Sequence, residues 1–186
     1  VTGTRTVTAT ATTTASPSIT PTLPASKLCL GNQVFKDLDN DGVYEPGSGE
    51  FGISLVKLNL YRDDGDVNLD AGDTKLTEIT TDVDGRYSFC DLDPGDYIVE
   101  VDKANFVVGG KLFGMPTSTG NDVGGMAPDP DTDVDNDDNG SLIPSFGVAS
   151  KAVTLAPGAE PGPGVDGDDT NRNQTVDFGF RCPICL

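Results

Sequence analysis

The residues with the most chemical potential in this chain are aspartates set at alternate positions in loops that also carry glycine. Asp37-Leu38-Asp39-Asn40-Asp41-Gly42-Val43-Tyr44-Glu45 reads D-x-D-x-D-G-x-x-E. Alternate carboxylates in a tight loop converge on one point, and Gly42 permits the sharp turn. Val43 offers its carbonyl, and Glu45 reaches in directly or through water. This is the first three-quarters of an EF-hand-type Ca²⁺ loop. The usual closing acid is displaced, because position twelve is Ser48. An insertion at Pro46-Gly47-Ser48-Gly49 brings Glu50 in as the bidentate ligand. Without a cation, these five carboxylates would repel one another.

A second cluster runs from Asp63 to Asp73. Asp64, Asp66, Asp70 and Asp73 sit at spacings suited to Ca²⁺, Asn68 supplies a carbonyl, and Asp63 stands in where strict register would demand Arg62. The third cluster is the densest, with Asp131, Asp133, Asp135 and Asp137 alternating between Asp129 and Gly140. Asp166, Asp168 and Asp169 form a fourth patch that could complete a site in space. One ion per main loop gives roughly three Ca²⁺.

Composition narrows the chemistry further. The 186 residues carry a formal charge of −18, and the acids divide into 25 Asp and 5 Glu. Asp favours turns and caps over helix interiors, which places the acidity in loops. There is no His, so schemes built on imidazole are excluded, as are most zinc hydrolase sites. The negative charge argues against nucleic acid, which is bound through Lys and Arg. A glycosidase pair of carboxylates would need a sugar platform, yet Trp is absent and aromatics make up 6%. The expectation is a protein that is not an enzyme.

These loops need strands to hold them, and the sequence from Leu28 onward reads as all-β. Strand patterns cover 28–36, 53–61, 75–81, 86–90, 97–101, 151–155 and 174–180. The turn Asp82-Val83-Asp84-Gly85 reads as a hairpin between the third and fourth of these. About seven short strands with Gly, Pro and Asp punctuation predict an Ig-like or prealbumin-like β-sandwich with long calcium-binding loops. No apolar run reaches the roughly 20 residues of a membrane helix, so no membrane insertion is expected. No signal peptide is visible, and Val1 opens directly into a Thr-rich tract, as in a mature or truncated chain.

Residues 1–26 form a separate arm. Thr2, Thr4, Thr6, Thr8, Thr10, Thr12 and Thr14 occupy every even position, with small residues between them. Such a tract suits an O-glycosylated stalk. Strict period-2 alternation of β-branched residues equally describes a strand that must pair with another chain's sheet edge. We favour the strand-donating arm, with glycans attached to it. Asn139 and Asn173 lie in N-glycosylation triplets. Residues 27–181 form the sandwich and 182–186 a Cys-containing tail. Cys29, Cys90, Cys182 and Cys185 read as two disulfides of an oxidising, extracellular setting. If the first and last strands are neighbours, Cys29 pairs with Cys182 or Cys185, and Cys90 with the other.

The motifs resemble a known family. Leu30-Gly31-Asn32-Gln33-Val34-Phe35 leading into the first Asp loop is similar to the opening of the B-type repeat of serine–aspartate repeat surface adhesins. Thr81 to Phe89, Leu92-x-Pro94-Gly95-Asp96-Tyr97 and Val176-Asp177-Phe178-Gly179-Phe180 match it as well. The resemblance spans residues 28 to 180. It implies a prealbumin-like or Cna-B-like sandwich, secreted, with several Ca²⁺ ions stiffening the module through the first two loops and more loosely the third. Relatives outside the repeat family carry Lys–Asn isopeptide bonds. Lys27 lies near the corresponding strand, but the closing strand has no matching Asn, so none is expected. Departures from the family are a single copy, the absence of a wall-sorting motif, and the Thr arm. Together these readings predict a structural subunit of a cell-surface filament that polymerises with itself through strand donation. The alternatives are a spacer or ligand-binding module of a secreted adhesin, or an accessory domain of a secreted enzyme.

Overall fold

A computed structural model of the chain describes residues 2–3, 27–120, 122 and 124–181. The remainder of the arm and the Cys182–Leu186 tail lie outside the described residues. Thr2 is exposed, and Thr4 to Thr14 fall outside the description.

Two sheets pack face to face. Strand β1 (Leu28–Asp37) is the centre of the first sheet. It pairs antiparallel with β5 (Arg86–Leu92) and β2 (Phe51–Gly52), and parallel with β10 (Arg172–Asn173) and β11 (Phe178–Arg181). The second sheet runs β4 (Thr74–Thr80), β3 (Lys57–Arg62), β6 (Gly95–Val101), β8 (Val148–Ala149), β7 (Ser141–Leu142), with β9 (Val153–Leu155) also on β6. Among the described residues seven of the eleven strands have three or more residues, and these overlap the seven that the sequence pattern predicts. The other four are two-residue pairings that side-chain alternation cannot reveal. Three short 3₁₀ turns are the only helical elements among the described residues. No helix there is long and apolar enough to cross a membrane.

Alternation explains the core. Leu58 and Leu60 of β3 with Tyr97, Val99 and Val101 of β6 face Leu28, Leu30, Val34, Phe89, Phe178 and Phe180 of the other sheet. The residues between them are not left in water. Tyr61 and Ile98 form a second cluster with Leu69, Ala149 and Ala152, flanked by Ile143 and Phe146. The long loops therefore cover the outer face of the second sheet. This is what orders them, since a long loop without such contacts stays mobile.

Two expectations are corrected here. The Asp82–Gly85 turn does not join a hairpin: β4 pairs with β3 and β5 with β1, so the turn carries the chain from one sheet to the other. Asp82 accepts the amides of Asp84 and Arg86, and Gly85 at φ +80 completes the bend. Such Asp-Gly chemistry specifies a tight turn, whereas strand partners are chosen by the core. The disulfide is Cys29–Cys90, between the adjacent strands β1 and β5. The first and last strands are indeed neighbours, but they are parallel, with Asp37 opposite Arg181. Arg181 thus sits at the end of β1 opposite Cys29, roughly 26 Å away at strand rise. Cys182 and Cys185 lie outside the described residues.

Candidate metal centres

The first loop springs from the end of β1. Asp37, the strand's last residue, is buried and accepts the amides of Asn40 and Gly42. Asn40 (φ +66) and Gly42 (φ +78) take the left-handed conformation that tightens the loop. As a result Asp37, Asp39 and Asp41 bring carboxylate oxygens within 4.8 Å of one another. Glu50 folds back beneath them, accepting the amides of Leu38 at 2.7 Å and Glu45 at 2.8 Å. Burial, with the nearby Asp37 and Asp39 charges adding to it, holds the Glu50 carboxyl above its ordinary range. Glu45 is exposed. Val43 bridges to Asp137, and the bonds of that bridge are made by its neighbours: Tyr44 N to Asn136 O and Asp138 N to Gly42 O. Its own carbonyl is therefore left to the loop.

The second loop follows β3. Here the gathered oxygens belong to Asp63, Asp64 and Asp73. Asp73 accepts the amides of Asp64 and Asp70, and Asp63 those of Gly65 and Val67. Asp66 caps Asn68 N, Asp70 caps Gly72 N, and the Asn68 side-chain amide donates to Asp66 O. Desolvation first, then the charges of Asp66, Asp70, Asp73 and Asp63, push the Asp64 carboxyl upward. A Cβ on Gly72 would lie 2.1 Å from Asp64 Oδ2, so any larger residue there would displace a carboxylate of the cradle. Leu69 anchors the loop in the outer cluster.

The third loop behaves differently. Its alternate aspartates are not gathered as those of the first two loops are, and each takes partners from a different segment; Asp133 (φ +55) and Asn136 (φ +69) are left-handed. Asp131 accepts Thr154 N at 2.8 Å. Asp133 accepts Asn173 Nδ2 at 3.0 Å, beside Glu160. Asp135 shares Asn32 with Asp177, and Asp137 accepts Asn139 Nδ2. Asp166 joins this region, taking Gln174 N at 3.0 Å; burial raises the carboxyls of Asp133 and Asp135, and the Asp166 charge adds to it. Asp168 instead pairs with Arg172.

Sequence reasoning missed Asp138, Asp177, Glu160 and Asn32. All but Asn32 are enclosed. Burial drives the Asp138 carboxyl up to about 8 and that of Asp137 to about 6, and it raises Asp177 well above the usual range. The visible signal was an acid between Val176 and Phe178, in the otherwise apolar run Val176 to Phe180. Asn139 and Asn173, the two triplet asparagines, are buried at 2% and 1% exposure with their amide nitrogens donating to Asp137 and Asp133. Lys27 Nζ lies 2.6 Å from Asp93 Oδ1 in an exposed ion pair.

These donor sets fit a hard divalent cation. The gathered ligands are all oxygens, no His is present, and among the described residues no Lys or Arg forms an ion pair with the first two loops. The fold and loops together define an all-β two-sheet module with cation-ready acidic loops. The SdrD B-like domain model matches residues 28–141, and the chain belongs to that family. It is 39% identical over 77 residues to a fibrinogen-binding protein of Staphylococcus epidermidis, covering 41% of this chain and 6% of that protein. It is likewise 39% identical over 74 residues to serine-aspartate repeat-containing protein D of Staphylococcus aureus (strain Newman), covering 40% of this chain and 5% of the relative. The chain thus spans only a small fraction of those relatives. The major pilin SpaA of Corynebacterium diphtheriae aligns in structure at a TM-score of 0.42 and 13% identity, covering 83% of this chain and 30% of the pilin.

Proposed function

We propose that the chain is a structural module of an extracellular cell-surface filament, stiffened by Ca²⁺ in its acidic loops and joined to a second copy through residues 1–26. It performs no catalysis. The observation that carries the reading is the pair of gathered carboxylate triads at the ends of β1 and β3, with no basic side chain among the described residues paired to them. Held apart only by solvent they repel; bridged by Ca²⁺ they tie each loop to its strand. Strand donation is supported by the arm's alternation and by β4, which ends its sheet with every residue but Ile79 exposed. A second reading, a spacer or ligand-binding module of an adhesin, is favoured by the name of the fibrinogen-binding relative. The experiment is particle size with and without residues 1–26, each in Ca²⁺ and in chelator. Assembly that survives loss of the arm removes strand donation. A melting temperature indifferent to chelator removes the calcium reading.

A further inference from the structure

We infer that the 103–113 segment is a docking end of the module: the apolar side chains of Val107, Val108 and Phe113, flanked by Lys103 and Lys111, seat on the acidic opposite end of a second copy. The inference rests on the filament reading above and uses neither the calcium loops nor residues 1–26.

Three large apolar side chains stand in water within one short loop: Val107 is 59%, Val108 84% and Phe113 57% exposed. Single exposed apolar residues are ordinary, but a cluster of them on a fixed loop marks a contact surface. This loop is fixed. Asn105 is buried at its neck, where its side chain accepts Lys57 N at 2.9 Å and donates to Lys57 O at 2.8 Å and Asp102 O at 2.7 Å. Leu112 is fully enclosed in the core, and its amide donates to Asn105 O at 2.9 Å. Phe106 turns inward onto Phe180, with ring centroids 5.6 Å apart. Turns closed by Gly110 N to Val107 O and Phe113 N to Gly110 O shape the tip between these anchors. A surface set in advance loses little entropy on binding.

The strands fix where the tip lies. β3 and β6 are antiparallel, with Leu58 opposite Val101 and Arg62 opposite Tyr97, so the loops that follow them leave from opposite ends. Phe180, against which Phe106 packs, is opposite Lys36, so the tip shares the Asp37 end of β1. Leu28 pairs with Leu92 just before β6 begins, which puts the start of β1 at the far end. The 156–171 loop is at that far end too, because Leu155 is opposite Gly95 and Arg172 opposite Cys29. A contact between the tip and that end is heterologous and joins copies in line, with Leu28 of one copy beside the tip of the next.

Charge selects the partner end. Among the described residues neither Lys103 nor Lys111 forms an ion pair, although the first acidic loop shares their end; Lys103 Nζ donates to Ser145 O at 3.4 Å. At the far end Asp91 and Asp169 are exposed and likewise form no ion pair among the described residues, and Val165, in the loop that carries Asp169, is 50% exposed. Cations around an apolar tip thus meet acids around an apolar side chain. On a chain of net charge −18, a cationic patch is where a second copy is attracted and not repelled.

The test measures self-association of the full chain by sedimentation velocity across a concentration series. Val108→Asp with Phe113→Ser should raise the concentration of half-assembly at least tenfold and leave the melting temperature within about 1 °C, since both side chains are exposed. Lys103→Glu with Lys111→Glu should weaken assembly likewise, and adding Asp91→Lys with Asp169→Lys should restore it, because both ends are then reversed. Salt should weaken wild-type assembly by screening the same attraction, a measurement that needs no variant. Tip variants that assemble as the wild type does overturn this contact and leave the filament reading intact. Charge reversal without rescue, or assembly indifferent to salt, overturns the choice of partner end and the inference with it. Tip-dependent binding to phosphatidylcholine vesicles, with assembly unchanged, gives the tip to a lipid surface instead. A wild type that is monomeric at every concentration defeats the filament reading itself, and this contact with it.

Discussion

One amide nitrogen, Nδ2 of Asn32 on β1, donates to two carboxylates from distant parts of the chain: Asp135 at 2.7 Å and Asp177 at 3.2 Å. The middle of the first strand is thereby tied to the third acidic loop and to the residue that leads into the last strand. The neighbouring amides complete the knot, with Asn139 N donating to Asp177 O and Asp177 N to Asn139 Oδ1. The parallel pairing of β1 with β11 is thus built beside a concentration of negative charge. Whatever neutralises that charge also governs how firmly the sheet closes.

The sign of the pH dependence follows. An acid whose folded pKa stands above its unfolded value takes up a proton on folding, so stability is lost as pH rises between the two. Asp138 at about 8 and Asp137 at about 6 both stand above the ordinary 3.8. In calcium-free buffer the melting temperature should fall steadily from pH 5 to pH 8. In saturating Ca²⁺ the trend should reverse over the same range, because ligands bind as carboxylates. Scanning calorimetry at four pH values distinguishes these; a calcium-free curve that is flat or rising contradicts the burial argument.

Asp37 and Asp39 should separate structure from binding. Asp37 is buried and caps two loop amides, whereas Asp39 is exposed. Asp39→Asn should weaken Ca²⁺ binding at least tenfold by calorimetric titration and leave the calcium-free melting temperature within about 1 °C, as surface substitutions do. Asp37→Asn should lower both.

The same contrast explains what could be read in advance. The strands of the core were legible because Leu58 and Leu60, or Tyr97, Val99 and Val101, alternate without interruption. The first loop was legible because its ligands are sequential and one turn brings them together. Asp177 was not, since its partners Asn32 and Asp135 lie 145 and 42 residues away and only the fold brings them near. The alternating Asp131 to Asp137 misled for the opposite reason: its acids are drawn to separate partners, Thr154, Asn173, Asn32 and Asn139, that only the fold brings near. The Asp82–Gly85 turn misled because turn chemistry is local and sheet membership is not.

The Cys29–Cys90 link closes a separation of 61 residues. In the chain-entropy account a loop of that length is worth about 4 kcal/mol. Cys29→Ser with Cys90→Ser should therefore lower the melting temperature by roughly 10 °C. Peptide mapping under non-reducing conditions should recover the two cysteines in one linked pair. Recovery of Cys29 joined to the C-terminal tail would contradict the strand order.

Gly31 tests the packing of the strands themselves. It lies on β1 opposite Ser88 of β5, and a Cβ built on it would meet Tyr87 O at 2.2 Å and Ser88 Cα at 2.8 Å. Both atoms are backbone of a paired strand, so neither can swing aside as a long side chain would. The carbonyl of Gly31 also accepts Val176 N at 3.0 Å, next to Asp177, so a shift of β1 would disturb the closing segment as well. Gly31→Ala should cost at least the ~1–3 kcal/mol typical of overpacking. For a chain of this size that corresponds to a fall of roughly 2–12 °C in melting temperature. Gly47 is the control, since a Cβ added there would meet nothing within 4 Å and Gly47→Ala should leave the melting temperature unchanged. Equal melting temperatures for the two alanine variants would show that β1 and β5 do not approach each other this closely.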